Sequence, residues 1–113
     1  MRRVVVTGLG LVTPLGCGVA RNWSRLLKGE CGIRKIARFD ASDLPAQIAG
    51  EVPFGTGEGE FNADNYIPPK DQRRMDTFIQ LALAAAKEAI DDSGWKPETE
   101  EDFIRTGVMV GSG

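Results

Sequence analysis

Two short apolar runs stand near the two ends of the chain. The first covers residues 3–7 and is followed by Gly8, and the second covers residues 106–110 and is followed by Gly111. Neither run alternates between apolar and polar positions, so each predicts a strand that is buried on both faces, as in a parallel sheet. Two such strands need covering layers on either side.

Two segments carry apolar residues at helical spacing. Apolar side chains recur on one face of residues 19–27, and Gly29 follows, which predicts a helix over that span. The segment Met75 to Ser93 is apolar over most of its circumference and is followed by Gly94, a residue suited to a left-handed C-cap. A helix that is apolar nearly all round is typical of the interior of a larger body.

Regular structure is predicted to be sparse elsewhere. Residues 47–52 alternate weakly and predict a short edge strand, whereas residues 53–69, rich in glycine and proline, predict a long surface loop. The acidic residues 97–102 are interpreted as a linker to the second apolar run.

Composition narrows the function classes. The chain has 113 residues, 14 Lys and Arg against 16 Asp and Glu, and no His, which fits one soluble domain without a Ser-His-Asp triad or His-ligated metal. Cys17 and Cys31 are too few for a disulfide scaffold, and we predict both as small buried side chains in a reduced, cytoplasmic protein. No apolar run is long enough for a membrane span, and the net charge of -2 argues against a nucleic-acid partner.

A glycine pair after the first run raises the possibility of a dinucleotide site. Gly8 and Gly10 flank Leu9, but Thr13 stands where the third glycine of that fingerprint is needed, and Pro14 follows. We therefore predict that the glycines make a tight turn, and an independent nucleotide-binding domain remains only as an alternative.

Charges at the ends of the second helix are unusual. Lys70, Arg73 and Arg74 cluster at its predicted start, where the helix dipole disfavours cations, so they either bind something negative or form a solvated first turn. Asp91 and Asp92 lie at the opposite disfavoured end, and we predict no stabilising role for them.

Several segments together resemble a known family. They are residues 2–16, Gly32-Ile33, Arg38-Phe39-Asp40, residues 72–80, residues 92–95 and residues 106–113. In order and spacing these segments closely resemble the β-ketoacyl-acyl carrier protein synthases of the synthase II type, the condensing enzymes of fatty acid synthesis. The resemblance covers essentially the whole chain.

The resemblance implies an α/β fold of the thiolase type, layered α-β-α-β-α and homodimeric. Residues 1–113 would be the N-terminal portion of the synthase N-terminal domain, and thus an incomplete part of that fold. The stretch Phe54 to Asn62 is similar to a loop that is shorter in many members of the family.

The family chemistry implied is a decarboxylating Claisen condensation. A cysteine at a helix N-terminus takes the acyl group as a thioester, and two histidines assist loss of carbon dioxide from malonyl-acyl carrier protein. Neither Cys17 nor Cys31 matches that nucleophile and the chain has no His, so it is expected to hold no catalytic residue and to be inactive alone. No cofactor or metal is expected, because phosphopantetheine arrives on the carrier protein.

The resemblance also implies two sites. Cations matching Lys70, Arg73 and Arg74 receive the acidic acyl carrier protein, loaded with acyl or malonyl groups. The vicinity of the acyl pocket is expected at Gly111, Ser112 and Gly113. An alternative is a truncated, non-catalytic module that binds the carrier protein or a synthase subunit.

Overall fold

The computed structural model describes residues 1–112, which form short hairpins and helices joined by loops. The elements are β1 (Val12–Thr13), β2 (Gly16–Cys17), α1 (Val19–Leu27), β3 (Ile33–Lys35), β4 (Ile48–Gly50), α2 (Pro69–Gln72), α3 (Thr77–Ser93) and α4 (Glu100–Arg105). No helix in this part of the chain has the length and apolarity that a membrane crossing requires.

Helix α1 forms where the apolar spacing predicts it. The hairpin of β1 and β2 places Val12 opposite Cys17, and Gly18 then turns the chain into α1 with a positive φ of 97°. After Lys28 the chain leaves the helix through Gly29, whose φ of 70° favours glycine. The predicted helix and its glycine stop are confirmed.

A buried asparagine fastens the first hairpin to α1. Asn22 is 2% exposed, and its Nδ2 donates to the carbonyl oxygens of Gly16 at 2.9 Å and Gly18 at 2.8 Å. Its Oδ1 accepts a hydrogen bond from the Thr13 hydroxyl, which in turn accepts from the Leu15 amide. A buried amide with its partners in place fixes the geometry of the turn.

A second hairpin pairs β3 with β4 in antiparallel register, with Arg34 opposite Ala49. The edge strand predicted over residues 47–52 is confirmed over residues 48–50. Its partner β3 was not predicted, because all three of its residues are exposed and they show no alternation.

Residues 53–69 were predicted as a surface loop, and that prediction is wrong for their centre. Phe61 is 1% exposed, lies edge-on to Phe54 with ring centroids 5.2 Å apart, and stacks on Tyr66 at 5.8 Å. Ile67 is also buried, at 4% exposure. The stretch is rich in glycine and acidic residues, yet its aromatic side chains form a small cluster. These aromatic residues are too far apart in the sequence for a local pattern to predict their contacts.

Helix α3 begins two residues later than predicted and ends as predicted. Asp76 is its N-cap, and Gly94 forms the left-handed C-cap with a φ of 66°. Along α3 only Ala84 is fully buried, whereas Phe78 and Ile90 are 56% and 57% exposed. The apolar circumference that indicated burial is thus only partly covered by the described residues.

Neither predicted parallel strand forms within residues 1–112. Residues 3–7 and 106–110 lie outside every strand pair, and Val4 and Met109 are 95% and 99% exposed. A strand is stabilised by its neighbours, and no strand among the described residues pairs with either run. The radius of gyration is 17.0 Å, against about 13 Å for a compact domain of this length.

The acidic stretch near residue 100 is a helix and not the predicted linker. Thr99 caps α4 in a reciprocal capping box: its hydroxyl accepts from the Asp102 amide at 3.2 Å, and the Asp102 carboxylate accepts from the Thr99 amide at 3.0 Å. Acidic residues in the first turn complement the helix dipole. The spacing Thr-x-x-Asp is the sequence pattern that indicates this capping box and hence the start of a helix.

Candidate functional site

The predicted docking cations lie ahead of α3 and not in its first turn. Pro69 starts the separate helix α2, since proline is favoured at a first helical position. Lys70 lies in α2, Arg73 is its C-cap, and Arg74 follows in a turn closed by its amide to the Asp71 carbonyl at 3.0 Å. The predicted clash with the dipole of α3 is therefore wrong, although the three cations do lie together.

These three cations, here called the basic platform, are all exposed. None of them takes part in an ion pair with another described residue. The ion pairs that the described residues form are Arg21–Glu58, Arg25–Glu30, Lys87–Asp91 and Arg105–Glu101. The charge of the platform is therefore open to an anionic partner, and its attraction is screened by salt.

Two glutamines hold the backbone around the platform. The Gln72 side-chain amide donates to the Asp64 carboxylate and to the Ile67 carbonyl, both at 2.8 Å. The Gln80 amide donates to the carbonyls of Met75 at 3.1 Å and Gln72 at 3.3 Å. No local sequence pattern predicts these bonds, because their acceptors lie five to eight residues away and the donors and acceptors do not share one helix.

A second polar cluster joins α3 to the segment before β1. The Asp92 carboxylate accepts from the Leu9 amide at 3.0 Å, and the Glu88 carboxylate accepts from the amides of Leu11 at 2.9 Å and Val19 at 2.8 Å. Val19 is the first residue of α1, whose amide has no partner within the helix. The prediction that Asp92 has no stabilising role is wrong, and sequence analysis missed Glu88.

Gly8 and Gly10 serve close packing and not a tight turn. Neither has a positive φ. A Cβ on Gly10 would overlap the Ala85 carbonyl oxygen, and one on Gly8 would overlap the Ala89 carbonyl oxygen. Segment 8–10 therefore lies directly against the backbone of α3. The amide of Leu9, between the two glycines, already binds Asp92, so it is not free to cradle a phosphate.

The two cysteines occupy different environments. Cys17 is half-buried, and burial raises the pKa of its thiol, with Glu88 raising the pKa further and Arg21 opposing. Cys31 is exposed, so its predicted burial is wrong, and its sulfur accepts from the Ile33 amide at 3.4 Å. A thiol with a raised pKa is a poor nucleophile near neutral pH.

Alkylation should distinguish the two thiols. We expect iodoacetamide at pH 8 to modify Cys31 several times faster than Cys17, because burial limits access to Cys17 and its raised pKa lowers the thiolate fraction. Peptide mass spectrometry over a time course measures both rates in one sample. Faster modification of Cys17 would contradict the environment assigned to it.

A cleft of about 930 Å³ lies between α1, α3 and the segment around Tyr66. Its charged lining groups are already engaged: Glu60, Glu88 and Asp92 accept from main-chain amides, and Lys87 and Asp91 pair with each other. Since the polar groups of a ligand site must be free to converge on a ligand, the cleft is a seam between packed elements.

The predicted acyl-pocket residues lie at the far end of the chain. Gly111 and Ser112 are exposed, and a Cβ on Gly111 would meet no atom within 4 Å. Gly113 lies outside the described residues. No pocket wall surrounds the described pair, so their placement stays a prediction.

The comparisons with known proteins agree on one family. The family model described as Beta-ketoacyl synthase, N-terminal domain, matches residues 1–113. The chain is 56% identical over its whole length to 3-oxoacyl-(acyl-carrier-protein) synthase 2 of Rhizobium meliloti (strain 1021) and covers 27% of that protein. It is 42% identical over its whole length to a putative mitochondrial 3-oxoacyl-(acyl-carrier-protein) synthase of Schizosaccharomyces pombe, again covering 27%.

A solved structure matches as well. The ishigamide ketosynthase/chain length factor is similar over 89% of this chain and 23% of its own, with a TM-score of 0.66 and 36% identity. This likeness confirms the predicted class, a partial α/β domain of the thiolase-like fold. The chain spans about a quarter of the length of the curated relatives it matches. It belongs to the β-ketoacyl synthase family.

Proposed function

We propose that residues 1–113 are the N-terminal portion of a 3-oxoacyl-acyl carrier protein synthase of type II that acts in fatty acid biosynthesis. The support is the match of the family model to every residue and the 56% identity to a synthase 2. The proposed setting is a cytoplasmic homodimer of the intact enzyme.

The proposed reaction joins an acyl group to malonyl-acyl carrier protein. An enzyme thiolate first takes the acyl group as a thioester and releases the donor carrier protein. Loss of carbon dioxide from the malonyl group leaves its electron pair on the α-carbon. That carbon attacks the enzyme thioester, forms the new carbon-carbon bond and releases the enzyme thiolate.

The groups that carry out this chemistry are not proposed within residues 1–113. The chain has no His, and burial raises the pKa of the Cys17 thiol. Cys31 is exposed and is held only by a main-chain amide. No cofactor or metal is proposed, because phosphopantetheine enters on the carrier protein.

The part of the reaction proposed for this chain is reception of the carrier protein. Lys70, Arg73 and Arg74 are exposed and form no ion pair with any residue between 1 and 112, and this observation carries the proposal. An acidic carrier protein would be attracted to such a platform, mainly through its association rate.

Charge reversal tests the platform in the intact enzyme. We expect Arg73→Glu with Arg74→Glu to raise KM for acyl carrier protein substrates by roughly tenfold at low salt, with little change in kcat, because rim charges act mainly on encounter. Steady-state rates with a carrier-protein substrate and with an acyl thioester of free pantetheine measure the effect. The small thioester should be used equally well by both enzymes.

An unchanged KM for the carrier protein at low salt would refute the docking assignment. Raising the ionic strength supplies an internal control, because the difference between variant and wild type should shrink as salt screens the charges.

A truncated, non-catalytic module that binds the carrier protein or a synthase subunit is the second candidate, and the exposed basic platform would serve this function equally well. The intact mass of the native protein, detected with an antibody against residues 54–70, separates the two. A mass several times 12.2 kDa supports the synthase, and a mass of 12.2 kDa supports the module.

A further inference from the structure

We infer that Gln72 and Gln80 are positioning residues that hold the basic platform in the geometry required to receive the carrier protein. This inference rests on the proposed function. Neither glutamine is proposed to touch the reacting atoms. Each acts through the backbone that carries Lys70, Arg73 and Arg74.

Gln72 anchors the platform on its N-terminal side. Its amide binds the Ile67 carbonyl at 2.8 Å, and the Ile67 side chain is buried at 4% exposure. Because Arg73 directly follows Gln72, the bond ties the platform to the well-packed end of segment 53–69. The short α2 has too few residues to hold this position by its own hydrogen bonds.

The same amide also engages a nearby acid. Gln72 Nε2 donates to Asp64 Oδ1 at 2.8 Å, and Asp64 forms no ion pair with any described cation. Asp64 keeps its own negative charge, but it does not pair directly with Lys70, Arg73 or Arg74. Gln72 thus fixes the backbone without occupying any of the three cations.

Gln80 closes the platform on its C-terminal side. From the first turn of α3 its amide reaches back to the Met75 carbonyl at 3.1 Å and the Gln72 carbonyl at 3.3 Å. These two acceptors bracket Arg73 and Arg74, and the Gln72 carbonyl also accepts from the Met75 amide at 3.1 Å. The turn that carries both arginines is therefore fastened at each end.

A fixed backbone matters because arginine and lysine side chains are long and flexible. Their ordering on binding opposes association, and a preorganised backbone reduces how much must be ordered. A loosened platform keeps its charge but presents it over a wider range of positions, which weakens docking and leaves the chemical step unaffected.

The test uses Gln72→Met and Gln80→Met in the intact enzyme, because methionine keeps the side-chain length and removes the amide. We expect KM for carrier-protein substrates to rise roughly three- to tenfold, as expected for the loss of one or two hydrogen bonds. Neither kcat nor the rate with an acyl thioester of free pantetheine should change. That small substrate has no protein surface to dock.

Gln47→Met is the matched control. The Gln47 amide also donates to two carbonyls, those of Ser42 at 3.2 Å and Leu44 at 3.4 Å, but on another loop. Its KM for the carrier protein should stay at the wild-type value. If one platform variant fails to fold, which its circular dichroism spectrum reveals, the other variant decides.

The outcomes separate this inference from the proposal beneath it. A raised KM in the arginine variants with an unchanged KM in both glutamine variants overturns the positioning role and leaves docking intact. Equal losses on both substrates assign the glutamines a merely structural role and also overturn it. An unchanged KM in all variants, the arginine pair included, refutes docking itself.

Discussion

Replacing Gly10 by alanine should destabilise the intact protein by about 3 kcal/mol, the upper end of the range for overpacking a tight contact. The added Cβ would overlap the Ala85 carbonyl oxygen and approach the Ala89 amide of α3. Both atoms belong to helix backbone, which cannot turn aside as a side chain can. Segment 8–10 must therefore move away from α3. Denaturant unfolding monitored by circular dichroism measures the change.

Ser24→Ala is the control for this substitution. Ser24 is an exposed residue of α1 whose side chain makes no hydrogen bond to a described residue, so we expect a change within about 0.5 kcal/mol. Equal stabilities for Gly10→Ala and wild type would show that segment 8–10 does not lie against α3 in the intact protein.

Replacing Glu88 by alanine should lower the free energy of unfolding by about 2 kcal/mol, since hydrogen bonds to a charged group contribute about 1.5–3 kcal/mol each and this carboxylate is partly solvated. The substitution leaves the amides of Leu11 and Val19 without their acceptor. Segment 9–11 and the first turn of α1 should loosen together. Hydrogen exchange at these two amides reports the effect directly.

Glu98→Ala is the control for Glu88→Ala. Glu98 is also a glutamate, but it is exposed and its side chain makes no hydrogen bond to a described residue. We expect its stability to stay within about 0.5 kcal/mol of wild type. If the Leu11 and Val19 amides exchange at wild-type rates in Glu88→Ala, the carboxylate does not link α3 to the preceding elements.

The helices were the part of the fold that local pattern could predict. The apolar face of α1 and the glycines that end α1 and α3 depend on residues within one or two turns of each other. Helix α4 was not predicted although its Thr99–Asp102 capping box is equally local, because a run of acidic residues is also typical of a solvated linker.

The strands show the opposite case. Residues 3–7 and 106–110 have the composition of buried parallel strands, yet they form no sheet among the described residues. Pairing and burial of a strand depend on segments distant in sequence, so its composition predicts the environment it requires and not its presence. The aromatic cluster around Phe61 escaped prediction for the same reason.

The candidate site shows the same difference between local patterns and contacts distant in sequence. The clustering of Lys70, Arg73 and Arg74 is visible in the sequence, whereas the hydrogen bonds that hold their backbone in place are not. The bonds of Gln72 and Gln80 run to acceptors five to eight residues away in other elements or loops, and Glu88 reaches amides 69 and 77 residues away. No spacing rule connects such partners.

The measurement that tests the central claim most directly is the affinity of the intact protein for acyl carrier protein at low salt. Titration of a fluorescently labelled carrier protein compares wild type, Arg73→Glu/Arg74→Glu and a control of equal net charge, Lys28→Glu/Lys96→Glu, whose lysines lie outside the platform. We predict that Kd rises roughly tenfold for the arginine pair, as expected for lost electrostatic complementarity, and stays within about twofold for the control. Equal affinities in all three proteins, or equal losses in both variants, would contradict a docking role for the basic platform.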